Sequence, residues 1–233
     1  YIAICHYARV DKLPNGRYAL RTSHTEKKDQ TYALYNLTQD QLSRTLMPVG
    51  AYEKDEIRKM AEEACLPVAH KPDSQEICFV EDDDYAKFIT DYSGYKPKEG
   101  DILDVNGNVI GKHRGLIYYT IGQRKGIGAY GRPMFVMKID AENNTITLGE
   151  KGMEFSNELT AYDVNFVSGE FPKENMLITA KVRYQAPPAA AMLCPQKDGT
   201  VKLMFPEPQR AVTPGQAVVF YDGDIVLGGG TVL

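Results

Sequence analysis

The chain lacks the cysteine and histidine pairs from which metal sites are built. Its four thiols, Cys5, Cys65, Cys78 and Cys194, contain no C-x-x-C, and its four histidines, His6, His24, His70 and His113, supply no H-x₃-H spacing. Structural zinc sites draw on such close pairs, so no metal is expected. Also missing is any run near the roughly 20 apolar residues that cross a bilayer as a helix, which argues against a membrane partner. The opening segment has neither a charged n-region nor a small-residue cleavage site and is not read as a signal peptide. Without secretory signals, the thiols are expected to be cytosolic and reduced, each a core filler or a reactive group. Repeats and low-complexity tracts are absent. So is any excess of cations: 27 Lys and Arg against 31 Asp and Glu give a net charge of −4, no general electrostatic reason to expect a polyanion. The balance is uneven, however: residues 1–94 carry −4, residues 95–157 carry +2 and residues 158–233 carry −2.

What is present reads first as mixed structure and then as β. The chain opens without Met on a mostly apolar Tyr1–Ala8, the pattern of a strand in a covered sheet, and is read as a fragment beginning inside a domain. Apolar runs flanking Pro14-Asn15-Gly16 predict a hairpin over residues 7–22. Thr38 with Gln41 forms a capping pattern, and Leu42 with Leu46 the stripe of a short helix ending near Pro48. A second helix is predicted from Glu53 to Cys65, with Ile57, Met60, Ala61 and Ala64 on one face, and a third near Asp83 to Tyr92. After Gly94 the period falls to about 2. Asn106-Gly107, Asn143-Asn144, Lys197-Asp198-Gly199 and Asp222-Gly223 then mark hairpins, and the weakly periodic Gly149–Asn157 marks a boundary between two β units.

Several segments could carry chemistry. Gly126-Ile127-Gly128-Ala129-Tyr130-Gly131 matches G-x-G-x-x-G, but it leads through Arg132-Pro133 into a strand pattern rather than a helix, which argues against a dinucleotide site. Gly122-Gln123-Arg124-Lys125-Gly126, on the only basic segment, suits phosphate contacts or is simply a solvated loop. Cys65 and Cys194 read as inert core thiols, whereas Cys78 follows a polar, turn-like stretch and precedes four acids. Such a thiol reacts only if a cation or helix N-terminus lowers its pKa, because the acids alone raise it. Lys27-Lys28-Asp29-Gln30 joins two cations to an amide able to read a base. Arg183-Tyr184 pairs a guanidinium with a stacking ring, suited to unpaired RNA bases yet common in ordinary strands.

Taken together, KKDQTYALY (27–35), MPVG (47–50), KPDSQEICFVED (71–82), GKHRGLIYYTIGQRKGIG (111–128), KVRYQ (181–185) and AVTPGQAVVFYDGDIVLGGG (211–230) resemble the tRNA-specific 2-thiouridylase family, in family order and over essentially the whole chain. The resemblance implies an enzyme that uses ATP, with Mg²⁺, to adenylate the C2 oxygen of the wobble uridine (U34). A cysteine persulfide then displaces AMP to leave 2-thiouridine. It implies Cys78 as the persulfide carrier, while a second family cysteine finds no match in Cys5, Cys65 or Cys194. It assigns contact with tRNA to Lys28, Asp29, Gln30, Arg183, Tyr184, Gln216 and His6. Cys5 stands where the family has a glycine that contacts ATP, and Ile4 replaces a threonine. A Cβ with sulfur there crowds a nucleotide.

The phosphate loop S-G-G-x-D-S is absent from the 233 residues, so this chain alone is expected not to adenylate uridine. The expected architecture has three parts. Residues 1–93 form the end of an α/β ATP-pyrophosphatase domain (adenine nucleotide alpha hydrolase-like) with a helical tRNA-binding extension. Residues 94–157 form a small β-rich domain, and 158–233 an antiparallel β-barrel of six or so strands. The expected partners are the anticodon stem-loop of tRNAs with U34 and a sulfur-donor protein, with no DNA or membrane, in the cytoplasm. The alternative is a non-catalytic RNA-binding β module; a rhodanese-type sulfur carrier fits the RNA-facing segments poorly.

Overall fold

The computed structural model describes residues 1–71, 80 and 84–233. Cys78 and most of its motif lie outside them. The elements in chain order are β1 (Ile2–Ala3), β2 (Ala8–Lys12), β3 (Tyr18–Thr22), α1 (Gln39–Ser43), β4 (Thr45–Leu46), α2 (Lys54–Glu63) and α3 (Tyr85–Ser93). Then follow β5 (Gly100–Leu103), β6 (Val109–His113), β7 (Met134–Asp140), β8 (Thr145–Glu150), β9 (Phe155–Phe166), β10 (Met176–Lys181), β11 (Ala189–Pro195), β12 (Val201–Arg210), β13 (Ala217–Asp222) and β14 (Ile225–Val232). They fall into two compact units, one of residues 1–71 with 157–233 and one of residues 72–156.

In the first unit β13-β10-β11-β12-β9-β14 close on themselves through a β13–β14 pairing, giving a six-stranded antiparallel barrel, and β3 and β2 extend the sheet beyond β14. The run Val218-Val219-Phe220-Tyr221 explains how the two parts join. All four residues are buried. Val218 and Phe220 point into the barrel with Leu193, Val201 and Leu203, while Val219 and Tyr221 point the other way, against Ala8, Leu20, Leu34 and Leu42. An unbroken apolar strand is what a sheet covered on both faces requires.

Two motif glycines mark close approaches. A Cβ on Gly50 would lie 1.7 Å from the Ala8 carbonyl oxygen, and one on Gly229 would lie 2.5 Å from the Tyr35 ring. MPVG and LGGG are therefore packing signatures that seat the N-terminal segment on the barrel.

The second unit holds a four-stranded sheet of order β6-β5-β8-β7, with β5 and β8 parallel and the other pairs antiparallel. Its core is Ile102, Ile127, Met134, Val136, Ile146 and Leu148. His113, at 1% exposure, accepts from the Gly115 amide at Nδ1, so its Nε2–H donates to the Asn144 carbonyl at 3.0 Å. That is the bonding of a neutral structural histidine.

The hairpins form where the turn residues predict them: β2–β3, β5–β6, β7–β8, β11–β12 and β13–β14 are antiparallel pairs, and Gly16, Gly107, Asn144, Gly199 and Gly223 have positive φ. Aspartates close three of the turns. Asp104 accepts from Asn106 and Asn108, Asp140 from Asn143, and Asp198 from Thr200. These bonds to the charged form hold all three carboxyls below their ordinary pKa, Asp140 at about 2.

Other expectations are corrected. The opening strand is only Ile2–Ala3 and pairs in parallel with β4 rather than lying inside a covered sheet; Tyr1 and Ile2 are exposed. The first helix has the reciprocal Thr38–Gln41 cap but ends at Ser43, because Leu46, half exposed, is drawn into β4. The second helix is capped by Glu53 and Glu56, yet none of its residues is buried in the described molecule. Cys65 is exposed with φ of 55°, just past that helix, and Cys194 is half-buried on the outward face of β11, so neither is a core thiol. No helix among the described residues is long and apolar enough to cross a membrane.

Candidate functional site

All seven residues that the resemblance assigns to RNA lie in the first unit, and several gather around a residue it did not single out, Tyr32. This tyrosine follows Lys28-Asp29-Gln30-Thr31 in a short 3₁₀ turn, Thr31–Ala33. Its hydroxyl donates to the Ala217 carbonyl at 2.5 Å, next to Gln216. Its ring meets that of Tyr184 edge-on at 5.9 Å. Burial raises its pKa to about 12, and the nearby Arg183 guanidinium opposes that rise. One side chain thus links three chain segments: 28–31, 183–184 and the 213–217 turn. The signal for it lay inside KKDQTYALY, but a tyrosine on an apolar stretch gives no sign of what it will touch.

Within KKDQ the polar side chains divide the work. Asp29 Oδ1 accepts from the Ser23 amide at 2.9 Å, and its Oδ2 from the Thr31 hydroxyl at 2.6 Å and the Thr31 amide at 3.3 Å. Gln30 and Tyr7 exchange two bonds: the Tyr7 amide donates to Gln30 Oε1 at 2.9 Å and the Gln30 amide to the Tyr7 carbonyl at 3.0 Å. Gln30 therefore fixes the segment that carries His6, which is half-buried. Lys27 and Lys28 are exposed. The aspartate and the glutamine organise backbone, while the lysines face solvent.

Across the barrel edge, Tyr184 is 47% exposed, and the Lys181 ammonium stands 5.8 Å from its ring centre. Arg183 Nε and Gln216 Oε1 are buried without a hydrogen-bond partner among the described residues. An unmet buried polar atom costs about 1–3 kcal/mol, an arrangement a ligand group can relieve. A cavity of about 620 Å³ adjoins the same segments, bounded by Asp29, Lys181 and Gln185 among others.

Cys5 is exposed, and its φ is not positive, so the backbone there does not demand glycine. An exposed thiol at this position offers no cradle for a phosphate, and these described residues do not by themselves fit ATP. Among the described residues no three His, Cys, Asp or Glu side chains gather as a metal site would require.

The second unit holds the basic loop. Gln123 closes it by accepting from the Thr120 amide and donating to the Lys125 carbonyl, which leaves Arg124 and Lys125 exposed. The G-x-G-x-x-G segment borders a cavity of about 320 Å³ and runs directly into β7, with no helix to meet a pyrophosphate.

Comparison with known proteins agrees with this architecture. Residues 1–82 match the model of a tRNA methyl transferase HUP domain, residues 86–150 that of a tRNA methyl transferase PRC-barrel domain, and residues 156–232 that of an aminomethyltransferase β-barrel domain. The class is thus defined by its domains: part of a HUP-type α/β domain, a PRC-barrel and a closed antiparallel barrel. Over its full length the chain is 56% identical to the tRNA-specific 2-thiouridylase MnmA of Acetivibrio thermocellus and 53% identical to that of Clostridioides difficile, covering 65% of each. It is also 53% identical to that of Lachnoclostridium phytofermentans, covering 66%. The chain belongs to the tRNA-specific 2-thiouridylase family, and it spans just under two thirds of the length of these relatives.

Proposed function

We propose that this chain serves the 2-thiolation of the wobble uridine of tRNA, and that the residues around Tyr32 hold the RNA while Cys78 carries the sulfur. The observation that carries the reading is the convergence of Lys28–Thr31, Arg183–Tyr184 and the Gln216 turn on one tyrosine. Exposed Lys27 and Lys28 suit phosphates, and the half-exposed Tyr184 ring suits stacking on an unpaired base of the anticodon stem-loop. Asp29 and Gln30 act through the backbone they hold.

Cys78 is assigned the persulfide by its place in D-S-x-x-I-C-F, and a sulfur-donor protein must load it. ATP with Mg²⁺ supplies activation of the uridine oxygen in the family reaction. Since the residues present do not fit ATP, the 233-residue chain on its own is assigned RNA binding without thiolation. The division at 93/94 and 157/158 and a cytoplasmic location belong to the same reading.

The test is Cys78→Ser in the intact protein, assayed for 2-thiouridine by nucleoside analysis and for tRNA binding by filter retention. Loss of thiolation with retained binding is expected. Full thiolation by the variant refutes the assignment, and a protein that binds no tRNA at all favours a different substrate.

A further inference from the structure

We propose that the 620 Å³ cavity beside Lys181 is a receptor for one unpaired nucleotide, taking its phosphate at Lys181 and its base between Thr179, Gln185 and the Pro187-Pro188 wall. The proposal rests on the reading of this face as RNA-binding and adds a site to it. The volume lies in the roughly 300–1,000 Å³ range of small-ligand sites.

The lining divides into spent and unspent groups. Asp224 receives Arg9 at 2.8 Å and Arg21 at 2.6 Å, and both oxygens of Asp29 accept from Ser23 and Thr31. The two guanidinium groups offset the charge of Asp224, and the oxygens of Asp29 are taken up by hydrogen bonds. Lys181 makes no ion pair among the described residues, and its ammonium stands 5.8 Å from the Tyr184 ring centre. The Thr179 hydroxyl and the Gln185 amide make no hydrogen bond among the described residues either. A cation, a hydroxyl and an amide with open valences thus converge on one hollow with an apolar wall.

Each open group matches a part of a nucleotide. A lysine ammonium suits a phosphate. An amide and a hydroxyl each offer a donor and an acceptor for a base edge, and proline rings give a flat surface for its face. Lys181 also stands over Tyr184, so a nucleotide seated here would continue the strand that Arg183 and Tyr184 contact.

The test is titration of the intact, isotope-labelled protein with uridine 5′-monophosphate and, separately, with ribose 5-phosphate, following the backbone amides of Thr179 and Gly223 and the side-chain amide of Gln185. The mononucleotide is expected to shift all three saturably. Lys181→Met should weaken binding about tenfold, the scale of one charge-assisted contact. Thr179→Phe, which fills the hollow, should abolish the shifts; if that variant does not fold, Lys181→Met and Gln185→Leu carry the test. No saturable shift, or undiminished binding in Lys181→Met, overturns the proposal. Equal binding of ribose 5-phosphate also contradicts it, since the base would then contribute nothing. Binding of tRNA to the same samples separates the two readings. If Arg183→Ala loses tRNA affinity while the cavity stays silent, the cavity alone is refuted; if Arg183→Ala loses none, the RNA face fails with it.

Discussion

Two basic loops, Lys27–Gln30 in the first unit and Gly122–Gly126 in the second, solve one problem with different backing. Each sets two cations in solvent and closes its backbone with hydrogen bonds to a neighbouring side chain: Asp29 and Gln30 in one, Gln123 in the other. The first loop is tied to the barrel by buried Thr31 and by the Tyr32 hydroxyl, whereas the second is tied to β7 through backbone alone, the Gly122 amide donating to the Val136 carbonyl at 2.7 Å and the Val136 amide to the Gln123 carbonyl at 3.0 Å. Proximity in a motif therefore does not imply a shared role. The holders determine stability, the cations determine affinity, and substitutions should separate the two.

The largest effect is expected at a holder. Asp29→Ala strips the acceptor from the Ser23 amide and from the Thr31 amide and hydroxyl, and Thr31 is fully buried. Urea denaturation should show a loss of about 3 kcal/mol; a loss under about 1 kcal/mol would mean that the loop does not depend on it.

Next comes Tyr32→Phe, which keeps the ring and removes the bond to Ala217, at about 1 kcal/mol. This change also tests the electrostatics. Burial raises Tyr32 to about 12 and pushes Tyr221 up as well. Below pH of about 10 the tyrosines are neutral whether the chain is folded or unfolded. Between about 10 and 12 the unfolded chain gives up protons that the fold retains, so stability falls as pH rises. The fall should be shallower in Tyr32→Phe, and an unchanged slope would contradict the assigned burial effect.

The smallest effect on stability is expected at the cations. Arg124→Ala and Lys125→Ala should leave stability within about 0.5 kcal/mol. If the second loop meets phosphate, each should lower the salt dependence of tRNA binding by about one counterion; if it is merely solvated, neither will.

The barrel and its hairpins were legible because period-2 alternation and Asn-Gly or Asp-Gly turns are local signals. The N-terminal region was less so. Its apolar Tyr1–Ala8 looks like a buried strand, yet only Ala8 is fully buried, against Gly50 and the core behind β13. The amphipathic α2 has the right period but no cover within the described molecule, and Cys65 inherited its core reading from that face. At the site, the charged motif was visible while Tyr32 was not, because its role depends on contacts with residues more than 150 positions away. Lys181 was hidden for the same reason: KVRYQ directs attention to the arginine and the ring, and a cavity is no property of a pentapeptide.

The claim that the segments around Tyr32 form one RNA face is tested most directly by the salt dependence of tRNA binding in Arg183→Ala against the unaltered protein. The expected result is weaker binding with a slope of log affinity against log salt reduced by about one; unchanged affinity and slope would contradict it.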